Sequence, residues 1–260
     1  MTPAGGREEG NMLTQERYKV ILEILEEKDA VTVTELAALV GTSESSIRRD
    51  LTVLDREGRL RKVYGGATAI NRTEGALEDE VNVRNEHMAA EKELIGEYAA
   101  GLINNDDFVY VDSGTTTARL IDHIGPTKAT FVTNGIIHAQ KLLSKGFRAY
   151  MIGGRIKPVT ASVVGAEGIR NLLKMNFTKA FMGANGIDIT AGFTTPDSEE
   201  AMMKEKAIEK SFAVFVLADH SKFRKVYPVT FAELRKCCII TDRLPYSGFN
   251  DKTIIREVTS

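Results

Sequence analysis

Short unbroken apolar runs, separated by stretches with helical spacing, recur from Phe108 to Ile240 and constrain the fold more than any other feature of the chain. The runs are Phe108-Val-Tyr-Val111, Thr130-Phe-Val-Thr133, Ala149-Tyr-Met-Ile152, Lys179-Ala-Phe-Met182, Ala213-Val-Phe-Val-Leu-Ala218 and Cys237-Cys-Ile-Ile240. Helical patterns lie between them at residues 118–124, 136–143, 168–173 and 198–210. A strand that is apolar at successive positions buries both faces, and such strands alternating with helices build a parallel sheet covered on both sides. A helix near Met88 to Leu102, apolar along Leu94, Ile95, Tyr98 and Leu102, is expected to open this domain.

The first 68 residues follow a different rhythm. Val20, Ile21, Ile24 and Leu25 recur at helical spacing between Thr14, a candidate N-cap, and Glu27. Val31-Thr-Val-Thr34 reads as extended, Thr34 is placed to cap a helix over Glu35 to Val40, and Gly41 stops it. Ser43 then caps a third helix from Glu44 to about Glu57, with Ile47, Leu51 and Leu54 on one face and Gly58 at its end. Arg59-Leu-Arg-Lys-Val-Tyr64 alternates like a strand, and Gly65-Gly66 turns the chain out. Three short helices and a basic strand pair predict a winged helix-turn-helix, with Ala37 and Gly41 kept small so that its two helices can cross closely. The fold class is therefore α/β, with an N-terminal winged helix-turn-helix joined to a parallel-sheet domain. The expected boundaries are a polar disordered leader over 1–12, the head over 13–68, a linker over 69–86, the sheet domain over 87–242 and a C-terminal tail over 243–260.

With 43% hydrophobic and 27% charged residues the composition is that of an ordinary globular protein. No run approaches the roughly 20 apolar residues of a membrane span, and the leader lacks the apolar core of a secretory signal. The expectation is a cytoplasmic protein with no membrane role. Cys237 and Cys238 lie side by side in an apolar run, and His87, His123, His138 and His220 are scattered, so no metal and no cofactor is expected. His220 stands beside Asp219 and Lys222, which leaves a place at a pocket rim open to it.

A net charge of −2 excludes a globally basic nucleic-acid binder, so the positive charge must be sought locally. Residues 1–68 hold 10 Lys and Arg against 12 Asp and Glu, yet Ile47 to Tyr64 hold six basic against three acidic. That excess sits on the third helix and the wing, the elements this fold presents to DNA. The expected DNA contacts are Thr34 on the second helix, then Ser43, Ser45, Ser46, Arg48 and Arg49 around the third, and Arg59, Arg61, Lys62 and Tyr64 on the wing. Serine hydroxyls reach phosphates or base edges, and arginine pairs bidentately with guanine. Arg49 is assigned to bases and Arg48 to phosphate, an order the sequence leaves open; Arg48 also has Glu44 four residues earlier as an ion-pair partner.

In the second domain Asp112-Ser-Gly-Thr-Thr-Thr117 follows an apolar run and precedes a helix, an arrangement that gathers N–H groups and hydroxyls at a helix N-terminus and suits an anion such as phosphate. It lacks the longer Walker pattern and its lysine, which argues against a nucleoside triphosphate. Loops Thr133-Asn-Gly135, Gly153-Gly-Arg155 and Gly183-Ala-Asn-Gly186 follow other strands and should meet it in one crevice. Ser113, Gly114, Thr115 and Thr116, with Gly153 and Gly154, are the candidate phosphate cradle, and Arg155 and Lys222 would either complement the charge or form surface ion pairs. Asp112, Asn134, Asn185 and Glu199 are candidates for hydrogen bonds to the rest of such a ligand. Asp197 and Ser198 read as a turn and cap, while Glu199 and Glu200 can reach back toward the crevice.

The run Val33-Thr-Glu-Leu-Ala37, then Ser43, Ile47-Arg-Arg-Asp-Leu51, Leu54, Gly58, Leu60 and Gly65-Gly-Ala67 resembles the DNA-binding head of the DeoR family of bacterial transcriptional regulators. Asp112-Ser-Gly-Thr-Thr116, Val132-Thr-Asn134, Gly153-Gly154, Gly186-Ile-Asp188 and Asp219-His-Ser-Lys-Phe223 resemble its sensor domain, so the likeness runs from about Leu13 to Asp242. Departures are small: Thr42-Ser43 stands where Val-Ser is common, and Tyr64-Gly65-Gly66 where His-Gly-Gly is usual, which puts the operator sequence beyond prediction. The resemblance implies an operator-binding protein, usually a repressor of a carbohydrate operon, released by a phosphorylated sugar. Phe193-Thr-Thr-Pro-Asp-Ser-Glu-Glu200 looks closest to regulators of fructose or lactose uptake, which implies fructose 1-phosphate or tagatose 6-phosphate. Two-fold operators require paired heads, so a homo-oligomer, dimer or tetramer, is expected.

The second domain also resembles ribose-5-phosphate isomerase, which raises the alternative of a sugar-phosphate isomerase with an appended head. Glu200-Ala-Met-Met-Lys-Glu-Lys206 and Leu217-Ala-Asp-His-Ser-Lys222 are similar to that enzyme's helix and following strand end. Proton transfer beside a carbonyl needs a base and groups that polarise the oxygens. Where the isomerase has Asp-Gly-Ala-Asp, this chain has Met182-Gly-Ala-Asn185, and its glycine-rich loop lysine is replaced within Phe193-Thr-Thr-Pro196. A thioether and an amide supply no base, so binding without turnover is the expectation.

Overall fold

Two hydrophobic periods produce two separately packed units, divided at Asn71 and Arg72 in the computed structural model. The structure describes residues 14–28, 30–56, 59–68 and 86–258. The expected leader, Gly58 and all but the last residue of the expected linker lie outside the described residues.

In the first unit α1 (Thr14–Lys28), β1 (Ala30–Thr32), α2 (Val33–Val40) and α3 (Glu44–Arg56) lead into β2 (Arg61–Val63) and β3 (Gly66–Thr68). The strands form an antiparallel sheet in the order β1-β3-β2. Its core joins Ile21 and Leu25 of α1, Leu36 and Val40 of α2, and Ile47, Leu51 and Leu54 of α3. Several local expectations change. Thr32, not Thr34, caps α2, its hydroxyl accepting the Glu35 N–H while the Glu35 carboxylate accepts the Thr32 N–H. The Thr34 hydroxyl instead donates to Glu44 at 2.8 Å. Gly41 ends α2 at φ +71°, and a Cβ there would touch nothing within 4 Å, so backbone conformation and not helix crowding requires the glycine. Gly66 does not lead the chain away: it begins β3, where a Cβ would sit 2.3 Å from the Val31 carbonyl oxygen, so only glycine lets the wing lie against β1.

The second unit opens with α4 (Ala89–Ala100), followed by β4 (Phe108–Val111), α5 (Thr115–His123), β5 (Thr130–Thr133), α6 (Ile136–Ser144) and β6 (Arg148–Met151). A hairpin, β7 (Arg155–Lys157) and β8 (Ser162–Val164), precedes α7 (Ala166–Leu172) and β9 (Phe177–Gly183). Then come β10 (Gly186–Asp188), β11 (Gly192–Thr195), α8 (Ser198–Glu209), β12 (Ser211–Leu217), β13 (Val229–Ala232), β14 (Cys238–Thr241) and β15 (Ile255–Glu257). Seven strands form one sheet in the order β15-β14-β12-β9-β4-β5-β6, each neighbouring pair parallel. Alternation along its strands divides the core: Val109, Val111 and Phe181 pack with α4, α5 and α6, while Tyr110, Ala180 and Met182 pack with α7 and α8. All six apolar runs are strands of this sheet. The expected tail is not one: β15 pairs with β14 and adds a seventh strand, because Ile239 to Thr241 offer it an open ladder. The antiparallel sheet β10-β11-β13 and the hairpin β7-β8 are additions to the predicted plan.

Candidate functional site

Burial of Ile47, Leu51 and Leu54 turns Arg48 and Arg49 outward on α3. Arg48 holds an exposed ion pair to Glu44 at 3.0 Å, and Arg49 donates to the Ser45 carbonyl at 3.3 Å. The Thr34 hydroxyl and then Arg48 hold the Glu44 carboxyl below its usual range. An exposed pair of this kind is weak in water. Ser43 caps α3, its hydroxyl accepting the Ser46 N–H at 3.2 Å and lying within 3.0 Å of the Ser45 and Ser46 hydroxyls. Beside the helix, Lys62 of β2 reaches the Thr52 hydroxyl at 2.7 Å, and its N–H donates to Asp55 at 2.9 Å. These bonds fix the wing against the exposed side of α3. Arg61 is exposed on β2, Arg59 precedes it, and Tyr64 stands fully exposed at the wing turn, where Gly65 takes φ +82°. The reverse side of α3 carries Asp50, buried and bidentate to Arg17 of α1 at 2.5 and 3.0 Å.

In the second unit the loops after β4 and β9 meet the α8 side of the sheet. A crevice is lined by Ser113, Gly114 and Thr115 at the N-terminus of α5, His138 and Lys141 of α6, and Thr160 and Ala161 of the β7-β8 turn. Deeper in, Gly183, Asn185, Glu200 and Lys204 continue the lining from Ser113 and Gly114. The first turn of α5 brings its N–H groups to the opening, and on the rim Arg119 pairs with Glu93 at 3.2 Å while Lys141 donates to both Asp122 oxygens at 2.6 and 2.5 Å. The hairpin reaches this place because Ile136 donates to the Ala161 carbonyl at 2.9 Å and Val163 to the Asn134 carbonyl at 2.7 Å. Ala161 takes φ +48° there, strain of the sort that side chains accept where the surroundings fix the backbone.

The floor of the crevice is a buried polar network. Asp112 accepts the Gly183 N–H at 2.9 Å and pairs with Lys204, whose ammonium also donates to the Gly183 carbonyl at 3.1 Å. Asp112 and Lys204 side chains are only 2% and 8% exposed. Glu200 accepts from Thr160 at 2.7 Å and Ser162 at 3.2 Å, with Lys157 at 3.3 Å. His138 Nε2 lies 3.0 Å from the Gly114 carbonyl and 3.0 Å from the Thr117 hydroxyl. The carbonyl requires a proton on Nε2, and burial pushes the ring down to about 4, so the neutral imidazole braces the phosphate-loop candidate. Asn134 donates to the Val163 carbonyl at 3.2 Å, while its Oδ1 is buried without a hydrogen-bond partner among the described residues.

Of the expected ligand residues, Ser113, Gly114, Thr115 and Asn185 line the crevice, and Asp112, Thr116 and Asn134 are buried beside it. Gly153, Gly154, Arg155, Glu199 and Lys222 are not among its lining residues. Arg155 and Glu199 pair with each other, the ion-pair alternative read for Arg155, and Lys222 lies in the turn His220–Lys222 after β12. Asn185 turns its Oδ1 to the Thr195 hydroxyl at 3.1 Å. Lys204 and Thr160 are not among the candidates named from the sequence, where His138 reads only as one of four scattered histidines. The scattered histidines hid one association: His220, Glu91 and Asp242 offer ligand atoms within 4.8 Å of one another. Both Asp242 oxygens already accept from His220, from its N–H at 2.8 Å and its ring Nδ1 at 2.6 Å.

Comparison with known proteins follows the same division of the chain. Residues 17–73 match the DeoR-like helix-turn-helix domain and residues 87–243 the DeoR C terminal sensor domain. The uncharacterized HTH-type transcriptional regulator FruR of Bacillus subtilis is 38% identical over 251 residues, 95% of this chain and 99% of that protein. The HTH-type transcriptional repressor GlcR of the same organism is 32% identical over 92% of this chain and 93% of its own length. The lactose phosphotransferase system repressor of Staphylococcus aureus is 30% identical over 86% and 90%. Among solved structures, ribose 5-phosphate isomerase A of Methanocaldococcus jannaschii aligns at 14% identity and a TM-score of 0.39, over 51% of this chain and 53% of that one. Both halves match in order, and full-length relatives are regulators of transcription: the chain belongs to the DeoR family of helix-turn-helix transcriptional regulators.

Proposed function

We propose that this protein represses an operon for the uptake or breakdown of a sugar and that a phosphorylated sugar in the crevice weakens its hold on operator DNA. The observation that supports the reading best is the crevice itself, where the N-terminus of α5 and three hydroxyl side chains surround one opening, with the ion-paired Arg119 and Lys141 on its rim. A phosphate suits the helix N-terminus, and the polar floor suits a polyol more than an apolar ligand. On the head, Arg49 is assigned to a base edge and Arg48, Lys62 and the serines to phosphate. Fructose 1-phosphate and tagatose 6-phosphate are the effectors to try first, given relatives named FruR and lactose phosphotransferase system repressor. Turnover is not part of the proposal, since Met182 and Asn185 stand where an isomerase needs its carboxylates.

The test is a fluorescence-anisotropy titration of the protein on its own upstream DNA, with and without a panel of sugar phosphates. At least one should raise the melting temperature and weaken operator binding, and Ser113→Ala and Thr115→Val should blunt both effects. If no sugar phosphate shifts either quantity, the effector reading fails, and conversion of any of them to an isomer would restore the enzyme.

A further inference from the structure

The two edges of the seven-stranded sheet differ. One ends in β15, three residues long and carrying exposed Arg256 and Glu257. Charge on a short edge strand is the ordinary guard against pairing with another chain. The other ends in β6, Arg148-Ala-Tyr-Met151, in which all four residues are exposed although β5 beside it is buried at three of four positions. Tyr150 and Met151 are 46% and 44% exposed, and the flanking elements add Leu143 at the end of α6 and Ile156 on β7 at 75% and 54%. Beyond the single charge of Arg148 this edge is apolar, and an exposed apolar sheet edge marks an interaction surface.

Its backbone fixes the geometry. The Ile152 N–H donates to the Thr133 carbonyl of β5 at 2.9 Å. Peptide groups alternate sides along a strand, so Arg148 and Tyr150 also face β5, while the N–H and C=O groups of Ala149 and Met151 point outward. An antiparallel strand related by a two-fold axis at Tyr150 would meet both outward residues, Ala149 against Met151 and Met151 against Ala149. Tyr150 would then face its own copy in a pair without hydrogen bonds, where side chains come closest. Arg148, whose guanidinium donates to the Tyr150 hydroxyl at 3.1 Å, would face Ile152, so no like charges are opposed. The strand is thus complementary to itself in length, donors and charge.

We infer that β6 is the seam between two copies of this chain, joined antiparallel about a two-fold axis at Tyr150 into one continuous sheet. An isologous contact needs no other partner, and it supplies the pair of heads that a two-fold operator demands. In this last respect the inference rests on the operator-binding reading proposed above.

Sedimentation equilibrium of the full chain tests it. Ala149→Pro removes an outward donor and leaves the β5 ladder intact, and Tyr150→Lys sets two cations face to face. Each should halve the mass while the thermal melt of the sheet unit persists, whereas Phe212→Lys, at an exposed aromatic elsewhere, keeps it. Independently, Tyr150→Cys should form a disulfide-linked dimer under mild oxidation beyond any seen with the native Cys237 and Cys238. A monomeric native protein, edge variants of undiminished mass, or no cross-link through Tyr150→Cys would overturn the seam. Operator binding measured alongside separates the two readings: undiminished mass with intact binding rejects the seam alone, and halved mass with no operator binding by the native protein rejects the repressor alone.

Discussion

Asp50, paired with Arg17, and His138, held by the Gly114 carbonyl and the Thr117 hydroxyl, are buried polar residues, and each makes a distinct prediction. Arg17→Met would strand the Asp50 carboxylate inside the head, and breaking a buried pair in this way costs about 3 kcal/mol. Replacing both, as Arg17→Met with Asp50→Leu, should cost less than Arg17→Met alone, because no uncompensated charge remains. Hydrogen exchange in α1 and α3 along a urea titration measures this where the second unit would mask a single global transition. His138 titrates near 6.5 when unfolded, and burial holds it at about 4 in the fold. Between those values only the unfolded chain takes up the proton, so stability is complete above pH 6.5 and is lost as the pH falls toward 4. The difference is worth about 3 kcal/mol. His138→Gln, which keeps a donor for the Gly114 carbonyl, should flatten that slope in urea unfolding at pH 7 and pH 4.5, while the loss at still lower pH from Asp107 and Asp197, both held low by hydrogen bonds and lysine partners, persists.

The two kinds of DNA contact proposed for helix α3 can be told apart by a salt titration. Arg48→Ala should lower the slope of log affinity against log salt by about one, equally on specific and unrelated DNA. Arg49→Ala should cost about 1–3 kcal/mol on the operator and little elsewhere. Exchange of these two outcomes would reverse the assignment while keeping the face. That face was readable in the sequence because Ile47, Leu51 and Leu54 leave Arg48 and Arg49 only one direction, and the strands of the large sheet were readable because burial on both faces makes them uniformly apolar. The hairpin β7-β8 was not: Arg155-Ile-Lys157 and Ser162-Val-Val164 are three-residue strands whose pairing is fixed by bonds to Asn134 and Ile136, far away in sequence. For the same reason the sequence does not single out Thr160, and it leaves Arg155 between a ligand contact and a surface ion pair. Lys204 did leave a trace. It falls with Glu200 in the buried stripe Glu200, Ala201, Met203, Lys204, Ala207 and Ile208 of α8, and two opposite charges one turn apart on an apolar face signal partners outside the helix. The partner, Asp112, lies 92 residues away, which periodicity within one element cannot reveal.

A regulator of this plan is useful only if its two units share free energy. If a sugar phosphate weakens operator affinity by some factor, operator DNA must weaken sugar-phosphate affinity by the same factor, whatever the route between the sites. The effector can shift the balance only by as much as its affinities for the DNA-competent and DNA-incompetent states differ. Lys204→Met distinguishes a ligand that is merely held from one that is coupled. The variant leaves Asp112 without its cation at the crevice floor, so the effector meets an altered site while α3, in the other unit, is untouched. The expected result is operator affinity near that of the native protein without effector, together with a coupling factor closer to one. Isothermal titration of the effector into free protein and into the preformed operator complex measures that factor from one side, and operator titrations at zero and saturating effector measure it from the other. Agreement of the two values in the native protein, and their joint fall in Lys204→Met, would make the Asp112–Lys204 floor part of the coupling; a factor unchanged by the substitution would confine that pair to holding the fold.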